Sequence, residues 1–250
     1  MTRDNPRPNF HSSQLIRCLA ALDLLEGAEP ASDFAEELGQ WLHFTDAIAL
    51  SSVHESGMAK VTMPSPVLRD ATDARLSAEF ERVRAVMVSS ITKSFALKGG
   101  KAPIQLPLLT PEVSFSPYKQ FYEAHQRNME LHVEPLRVNL RTALHNASPA
   151  LRKLAELDVV MERVLRAREG QLLARVPVLL KKRFVTLYGA HQEQLAASSQ
   201  ADSPAAWMHP GGWLTCFCQN LHTVLLAEVE LRLQPSAGLL EAFNQQKDYE

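Results

Sequence analysis

Cysteine is scarce in this sequence, with three residues in a chain of 250. Cys216 and Cys218 lie two residues apart and Cys18 lies near the other end of the chain, so the three do not resemble a disulfide framework. An odd set of cysteines with this spacing is typical of proteins that stay in a reducing compartment. The cysteine content therefore predicts a cytoplasmic protein.

Long apolar runs are missing as well. The two longest apolar stretches, Leu19–Leu25 and Val224–Val229, are each interrupted by a carboxylate, at Asp23 and at Glu228. Both are far shorter than the roughly 20 apolar residues that a membrane-spanning helix needs. The N-terminus also lacks the apolar core of a secretory signal. We therefore expect no export and no membrane insertion.

An excess of charge of either sign is also absent. Hydrophobic residues make up 46% of the sequence and charged residues 22%, and the formal net charge is −2. This composition is typical of a globular protein and not of a disordered chain. Because the chain as a whole is not a polycation, any binding to nucleic acid must come from a local basic patch.

The sequence has none of four common catalytic motifs, and it has only 10 glycines for substrate-binding loops. The missing motifs are the phosphate loop, Gly-x-Gly-x-x-Gly, Gly-x-Ser-x-Gly and His-Glu-x-x-His. Cys216, Cys218, His209 and His222 come nearest to a metal-binding set, but on a helix the two thiols would point about 200° apart. We therefore predict no catalytic residue, no cofactor and no bound metal.

Helical periodicity organises the rest of the chain. It predicts a mobile N-terminal segment over residues 1–11, a small helical cap over 12–55, a long-helix bundle over 66–234 and a C-terminal tail over 235–250. Within the cap we expect a helix from Ser12 or Ser13 to Gly27, a second over Phe34–Leu42 and a third that begins at Thr45 or Asp46.

Four long helices are predicted in the bundle, over residues 67–97, 117–145, 149–197 and 213–233. Pro135 and Pro177 should kink two of them, and Pro235 should end the last. Apolar residues recur every 3.5 to 3.6 positions, which indicates antiparallel packing with coiled-coil character. The predicted fold class is therefore an all-α bundle of long antiparallel helices with a small N-terminal helical cap.

The third long helix carries an excess of positive charge. From Arg152 to Arg183 there are nine basic and four acidic residues. A candidate basic stripe away from the apolar side consists of Arg152, Lys153, Arg163, Arg166, Lys181 and Lys182. It is either a solvated face or a docking surface for DNA phosphates or for an acidic partner. Aromatic residues are not interleaved with these charges, so stacking on single-stranded bases is not indicated.

Arg168 differs from the stripe because its helical phase places it among apolar residues. A buried guanidinium needs a carboxylate partner, and Glu123 or Glu130 on the preceding helix could supply it. We therefore predict a buried structural pair of Arg168 with one of these glutamates. A row of Tyr118, Tyr122, His125 and Gln126 is interpreted as core with hydrogen-bonded tips and not as a ligand site.

Several strings distributed over the whole chain resemble one proteobacterial family. They include Gln14-Leu15-Ile16-Arg17, Leu38-Gly39-Gln40-Trp41-Leu42, Thr45-Asp46-Ala47-Ile48, Phe115-x-x-Tyr118, Gln126-Arg127-x-Met129, Ser148-Pro149-Ala150-Leu151-Arg152, Leu154-Ala155-x-Leu157-Asp158, Val176-Pro177-x-Leu179-Leu180-x-x-Arg183-Phe184, Leu226-Ala227-Glu228 and Leu231-Arg232-Leu233-Gln234-Pro235. The family is encoded beside a MotA/ExbB-like membrane motor and an OmpA-like subunit, and it resembles the ZorF component of type III Zorya anti-phage systems. This resemblance implies a cytosolic accessory or effector that works with the motor and with a ZorG-like protein. It implies no catalytic residue.

Three hypotheses on function follow. The first is a non-enzymatic interaction module in phage defence, which binds a ZorG-like protein or the motor tail, and double-stranded DNA as a further candidate. The second is a metal-dependent nuclease that acts on invading DNA, which would require carboxylates gathered around an ion. The third is a structural scaffold that forms a homodimer through its long helices.

Overall fold

The computed structural model describes residues 13–22, 24, 44–55, 66–96, 104–107, 112–198 and 202–246. Within these ranges the protein is all-α and contains no β-strand, so the predicted fold class is confirmed. The helices are α1 (Gln14–Ala21), α2 (Phe44–Glu55), α3 (Pro66–Ser94), α4 (Ser116–Ala147), α5 (Pro149–Leu173), α6 (Val176–Ser198), α7 (Pro204–Trp207) and α8 (Trp213–Gln245). No helix in the described part of the chain is long and apolar enough to span a membrane.

The chain forms two compact units. The first unit comprises residues 1–27, 88–126 and 177–232, and the second comprises 28–87, 127–176 and 233–250. Helices α3, α4 and α8 therefore contribute residues to both units, α2 and α5 belong to the second, and α1, α7 and nearly all of α6 belong to the first.

Side-chain contacts in the second unit show how its helices run. Arg166 on α5 reaches Glu134 on α4, and Arg152 reaches the carbonyl of His145. Because higher numbers on one helix pair with lower numbers on the other, α4 and α5 are antiparallel. Their connection is a single residue, Ser148, whose extended backbone and side-chain oxygen cap the first turn of α5 through the Leu151 N–H. The predicted start of the third long helix at residue 149 is confirmed.

The core of the first unit is built from α4, α6 and α8. Phe217, Leu221 and Val224 on α8 are fully buried, as is Tyr122 on α4. Phe184 on α6 makes edge-to-face contacts with Phe217 and Trp213 at centroid distances of 5.1 and 5.2 Å. These aromatic contacts fix the buried side of α6.

The predicted third long helix is wrong in one respect, because it is two helices. α5 ends at Leu173 and α6 begins at Val176, with Ala174 and Arg175 between them. Pro177 in a continuous helix would have no N–H for the Leu173 carbonyl and would clash with it. In the first turn of α6 the missing N–H of Pro177 removes no hydrogen bond, because the N–H groups of the first turn have no acceptor within the helix. The proline therefore separates two helices where we expected a kink.

The predicted C-terminal tail from residue 235 is also wrong, because α8 continues through Pro235 to Gln245. The helical apolar pattern goes on beyond the proline, and Leu239 and Phe243 are 4% and 1% exposed. Their burial can offset the loss of one helical hydrogen bond. Pro135 likewise lies inside a continuous helix, α4.

The predicted cap over residues 12–55 is not one unit. α1 ends at Ala21, before the expected stop at Gly27, and belongs to the first unit, whereas α2 belongs to the second unit and packs on α5. Ser13 precedes α1 as predicted, although its side chain makes no capping hydrogen bond. The predicted mobile segment 1–11 and the helix over Phe34–Leu42 lie outside the described residues.

Candidate functional site

The basic residues of α5 are engaged with neighbouring acceptors. Arg163 lies 3.3 Å from a carboxylate oxygen of Asp46 on α2. Arg166 lies 3.4 Å from Glu134 and 3.8 Å from Glu162. These three carboxylates offset much of the positive charge that the sequence places on this helix.

Two further members of the predicted stripe lie at the start of α5. The Arg152 side chain donates to the His145 carbonyl at 3.2 Å, and Lys153 is half-buried. The predicted stripe is also divided between two helices, because α5 ends at Leu173 and α6 begins at Val176. The α5 residues of the stripe therefore do not form an open row of cations.

The remaining members of the stripe, Lys181 and Lys182, are exposed on α6 beside two unusually exposed valines. The exposed fraction is 60% for Val178 and 58% for Val185. With about 100° of rotation per residue, these four side chains fall within an arc of about 100°. We call Val178, Lys181, Lys182 and Val185 the α6 face.

The opposite side of α6 is firmly packed. Leu180 is fully buried and Phe184 is 5% exposed. Tyr188 contacts Trp213 at a centroid distance of 5.2 Å, and Arg183 donates to the Asn220 side chain on α8 at 3.1 Å. The α6 face therefore stands on a helix whose rotation about its own axis is fixed by its buried contacts.

The predicted burial of Arg168 with Glu123 or Glu130 is wrong. Arg168 and Glu130 are exposed, and Glu123 is half-buried beside Lys119, 3.6 Å away. The buried stripe of α5 is rotated from the predicted one, because Val160 and Val164 lie inside whereas Leu172 is 60% exposed. An error in helical phase placed Arg168 on the wrong side.

Glu228 is a buried carboxylate of the first unit, and sequence reasoning did not identify it as a site residue. It is completely buried and accepts hydrogen bonds from the Tyr122 hydroxyl, from the Gln126 amide at 3.0 and 3.2 Å, and from Arg232 at 2.8 Å. Burial and the Glu228 carboxylate raise the pKa of Tyr122 well above its ordinary value. A glutamate in an apolar stretch with an arginine four residues later was the available signal.

His125 forms a second buried polar contact in the same unit. Ser94 donates its hydroxyl hydrogen to the Ile91 carbonyl at 2.6 Å, so His125 Nε2, 3.1 Å away, is the donor to Ser94 Oγ. Burial lowers the pKa of His125 to about 4, which keeps the ring neutral near pH 7. The prediction that Tyr122 and His125 belong to the core with hydrogen-bonded tips is confirmed.

Trp207 and Trp213 belong to an aromatic cluster that sequence reasoning also missed. Asp202 accepts from the Trp207 indole at 2.7 Å and from His191 at 3.0 Å. Trp207 and Trp213 line an open cleft. Its volume is about 310 Å³ when the solvent space at its opening is included. Widely spaced aromatics give no periodic signal, so the sequence could not show that they meet.

Cys218 on α8 is a buried free cysteine. Burial raises the pKa of the Cys218 thiol to about 12, so this cysteine is a poor nucleophile at neutral pH. Among the described residues no three of histidine, cysteine, aspartate and glutamate are grouped so that they could hold a metal ion.

A family model described as "Protein of unknown function (DUF3348)" matches residues 1–245. No curated protein and no solved structure matched the chain. Because the match covers nearly the whole sequence, the chain belongs to the DUF3348 family.

Proposed function

We propose that this protein is a non-enzymatic, cytoplasmic accessory protein of a bacterial anti-phage defence system, and that it acts by binding a partner protein through the α6 face. The observation that carries the proposal is the combination of two exposed valines, Val178 and Val185, with two exposed lysines on one firmly packed helix. Exposed valines carry no catalytic chemistry, but their desolvation would stabilise a complex. The resemblance to ZorF makes a ZorG-like protein or the tail of a MotA/ExbB-like motor the first candidate partner.

DNA is a weaker candidate partner for the same surface. Affinity for a duplex rises with the number of phosphates that are neutralised, and a row of cations is therefore needed. On α5 the guanidinium groups of Arg163 and Arg166 already have carboxylate neighbours. On the α6 face two valines stand beside the two lysines and offer nothing to a phosphate.

The test is co-purification of the tagged full-length chain with each neighbouring gene product, together with a gel-shift assay on duplex DNA at several salt concentrations. We expect capture of one neighbouring protein and weak, strongly salt-dependent DNA binding. The double variant Val178→Ser/Val185→Ser should lose most of the captured protein, because both side chains would lose their apolar contacts. Val159→Ser is the matched control, since Val159 on α5 is also 50% exposed.

Capture of no neighbouring protein would refute the proposal. Tight DNA binding that is weakened by Lys181→Ala and Lys182→Ala but unaffected by the serine variants would transfer the role of the α6 face to DNA.

A further inference from the structure

The α6 face has the spacing of a helix-docking surface. Val178 and Val185 are seven residues apart, about 10.5 Å along the helix axis, which is one heptad. Gly189 follows on the same line and is exposed, with nothing near the position of a Cβ atom. A second helix could therefore approach α6 closely along this line and bury both valines.

The charges beside this line determine which sign of charge the partner should carry. Lys181 and Lys182 lie on either side of the valine line and are exposed. The first carboxylate on α6 is Glu193, eight residues beyond Val185. The only acidic side chain of this helix thus lies two turns away from the α6 face, so the charge that α6 itself contributes to the face is positive and attracts an acidic partner.

We infer that the α6 face binds an amphipathic helix of the partner protein whose apolar residues are seven positions apart and whose flanking residues are glutamate or aspartate. This inference rests on the proposed function and adds the chemistry of the partner. Helix-in-groove recognition of this kind uses apolar anchors on one face of the bound helix. The flanking carboxylates would pair with Lys181 and Lys182 as they do at the edges of coiled coils.

A direct test uses synthetic helical peptides as probes for the full-length protein. One peptide of about three heptads carries leucine at its core positions and glutamate at the flanking positions, and its twin carries lysine in place of every glutamate. We expect the wild-type protein to bind the glutamate peptide at least about tenfold more tightly than the lysine peptide in fluorescence anisotropy. The double variant Lys181→Glu/Lys182→Glu should reverse this preference.

The serine variant of the two valines tests the apolar part of the interaction. Val178→Ser/Val185→Ser should weaken binding of the glutamate peptide by about tenfold or more, whereas Val159→Ser should leave it unchanged. Circular dichroism and thermal melting of each variant establish that the fold is retained. A variant that fails to fold is replaced by the single change Val185→Thr, which keeps the β-branched shape and should still weaken binding.

Several results would overturn the inference. They are binding of neither peptide, equal binding of both peptides, or a preference that the lysine-to-glutamate exchange does not alter. The proposed function can fail separately. If a neighbouring protein is captured equally well by wild type and by the serine variant, the accessory role stands and the α6 helix-docking mode is wrong. If wild type captures no neighbouring protein, the accessory role itself is wrong whatever the peptides show.

Discussion

The two units each contain a carboxylate that joins α4 to another helix, but they place it in different surroundings. In the first unit Glu228 is completely buried and faces one arginine, a tyrosine and a glutamine. In the second unit the Asp158 side chain is 14% exposed and pairs with two arginines, Arg137 and Arg141, each of which is 13% exposed. One site is a single buried ion pair completed by neutral donors, and the other is a network of charges at the edge of the core.

The difference shows two ways to hold a charge between helices. A fully buried carboxylate is strongly desolvated, so it is stable only when nearly all its acceptor positions are occupied. Glu228 meets this requirement with three donor side chains. A carboxylate at the edge keeps contact with water and can share its cations with a second acid, which at Asp158 is Glu162, 2.7 Å from Arg141. Loss of one charged side chain should therefore lower the free energy of unfolding more in the first unit than in the second.

Replacement of Glu228 by alanine is the strongest test of this comparison. The variant removes the Glu228 carboxylate from the Arg232 guanidinium, which is 10% exposed, and from the buried Tyr122 hydroxyl. We expect the free energy of unfolding to fall by about 3–5 kcal/mol in urea denaturation.

The double variant Glu228→Leu/Arg232→Leu is the informative companion, because it removes both charges and fills the space with apolar groups. It should be markedly more stable than Glu228→Ala. A loss below about 1 kcal/mol for Glu228→Ala would contradict the buried-pair account of the first unit.

His125 allows the first unit to be tested by pH. Burial lowers its pKa in the folded protein to about 4, whereas the ordinary value in an unfolded chain is about 6.5. Between these two values the unfolded chain binds a proton that the folded protein does not, so stability falls as pH falls from about 6.5 towards 4. The expected loss is about 3 kcal/mol by pH 4.

Urea denaturation at a series of pH values measures this loss. The variant His125→Gln cannot titrate in this range and should remove most of the slope between pH 6.5 and 4, although it is less stable than wild type at pH 7. An identical slope in the variant would show that His125 does not cause the acid sensitivity.

The sequence predicted the long helices well because each one buries a periodic apolar stripe that is visible without the partner helix. Predictions from the sequence were wrong where the end of a helix or the rotation of a helix depends on tertiary contacts. The continuation of α8 beyond Pro235 depends on the burial of Leu239 and Phe243, which local proline rules ignore. The displacement of Arg168 to the surface depends on the rotation of α5 against α4.

The candidate site was predicted only in part for a related reason. Lys181 and Lys182 were identified from charge alone, and both are exposed. Val178 and Val185 were not, because an exposed valine cannot be told from a buried one until the rotation of its helix is known. Glu228 was missed because the donors that justify its burial are about a hundred residues away in sequence.

Substitution of Asp158 by asparagine completes the comparison from the second unit. Burial alone would raise the pKa of Asp158, but the hydrogen bonds and charges of Arg137 and Arg141 outweigh it and lower the pKa below the ordinary value. The carboxylate therefore contributes stability at neutral pH that is lost only as pH falls below about 3.9. Because Glu162 remains near both arginines, at 2.7 Å from Arg141 and 3.7 Å from Arg137, we expect Asp158→Asn to lower the free energy of unfolding by about 1–3 kcal/mol.

Since the Asp158 side chain is partly exposed, the loss of stability in Asp158→Asn should shrink in high salt, while the loss in Glu228→Ala should change little. Glu134→Gln is the control, because Glu134 is 64% exposed and its substitution should change the stability by less than about 1 kcal/mol. A salt-independent loss for Asp158→Asn as large as that for Glu228→Ala would mean that the two units stabilise their charges in the same way.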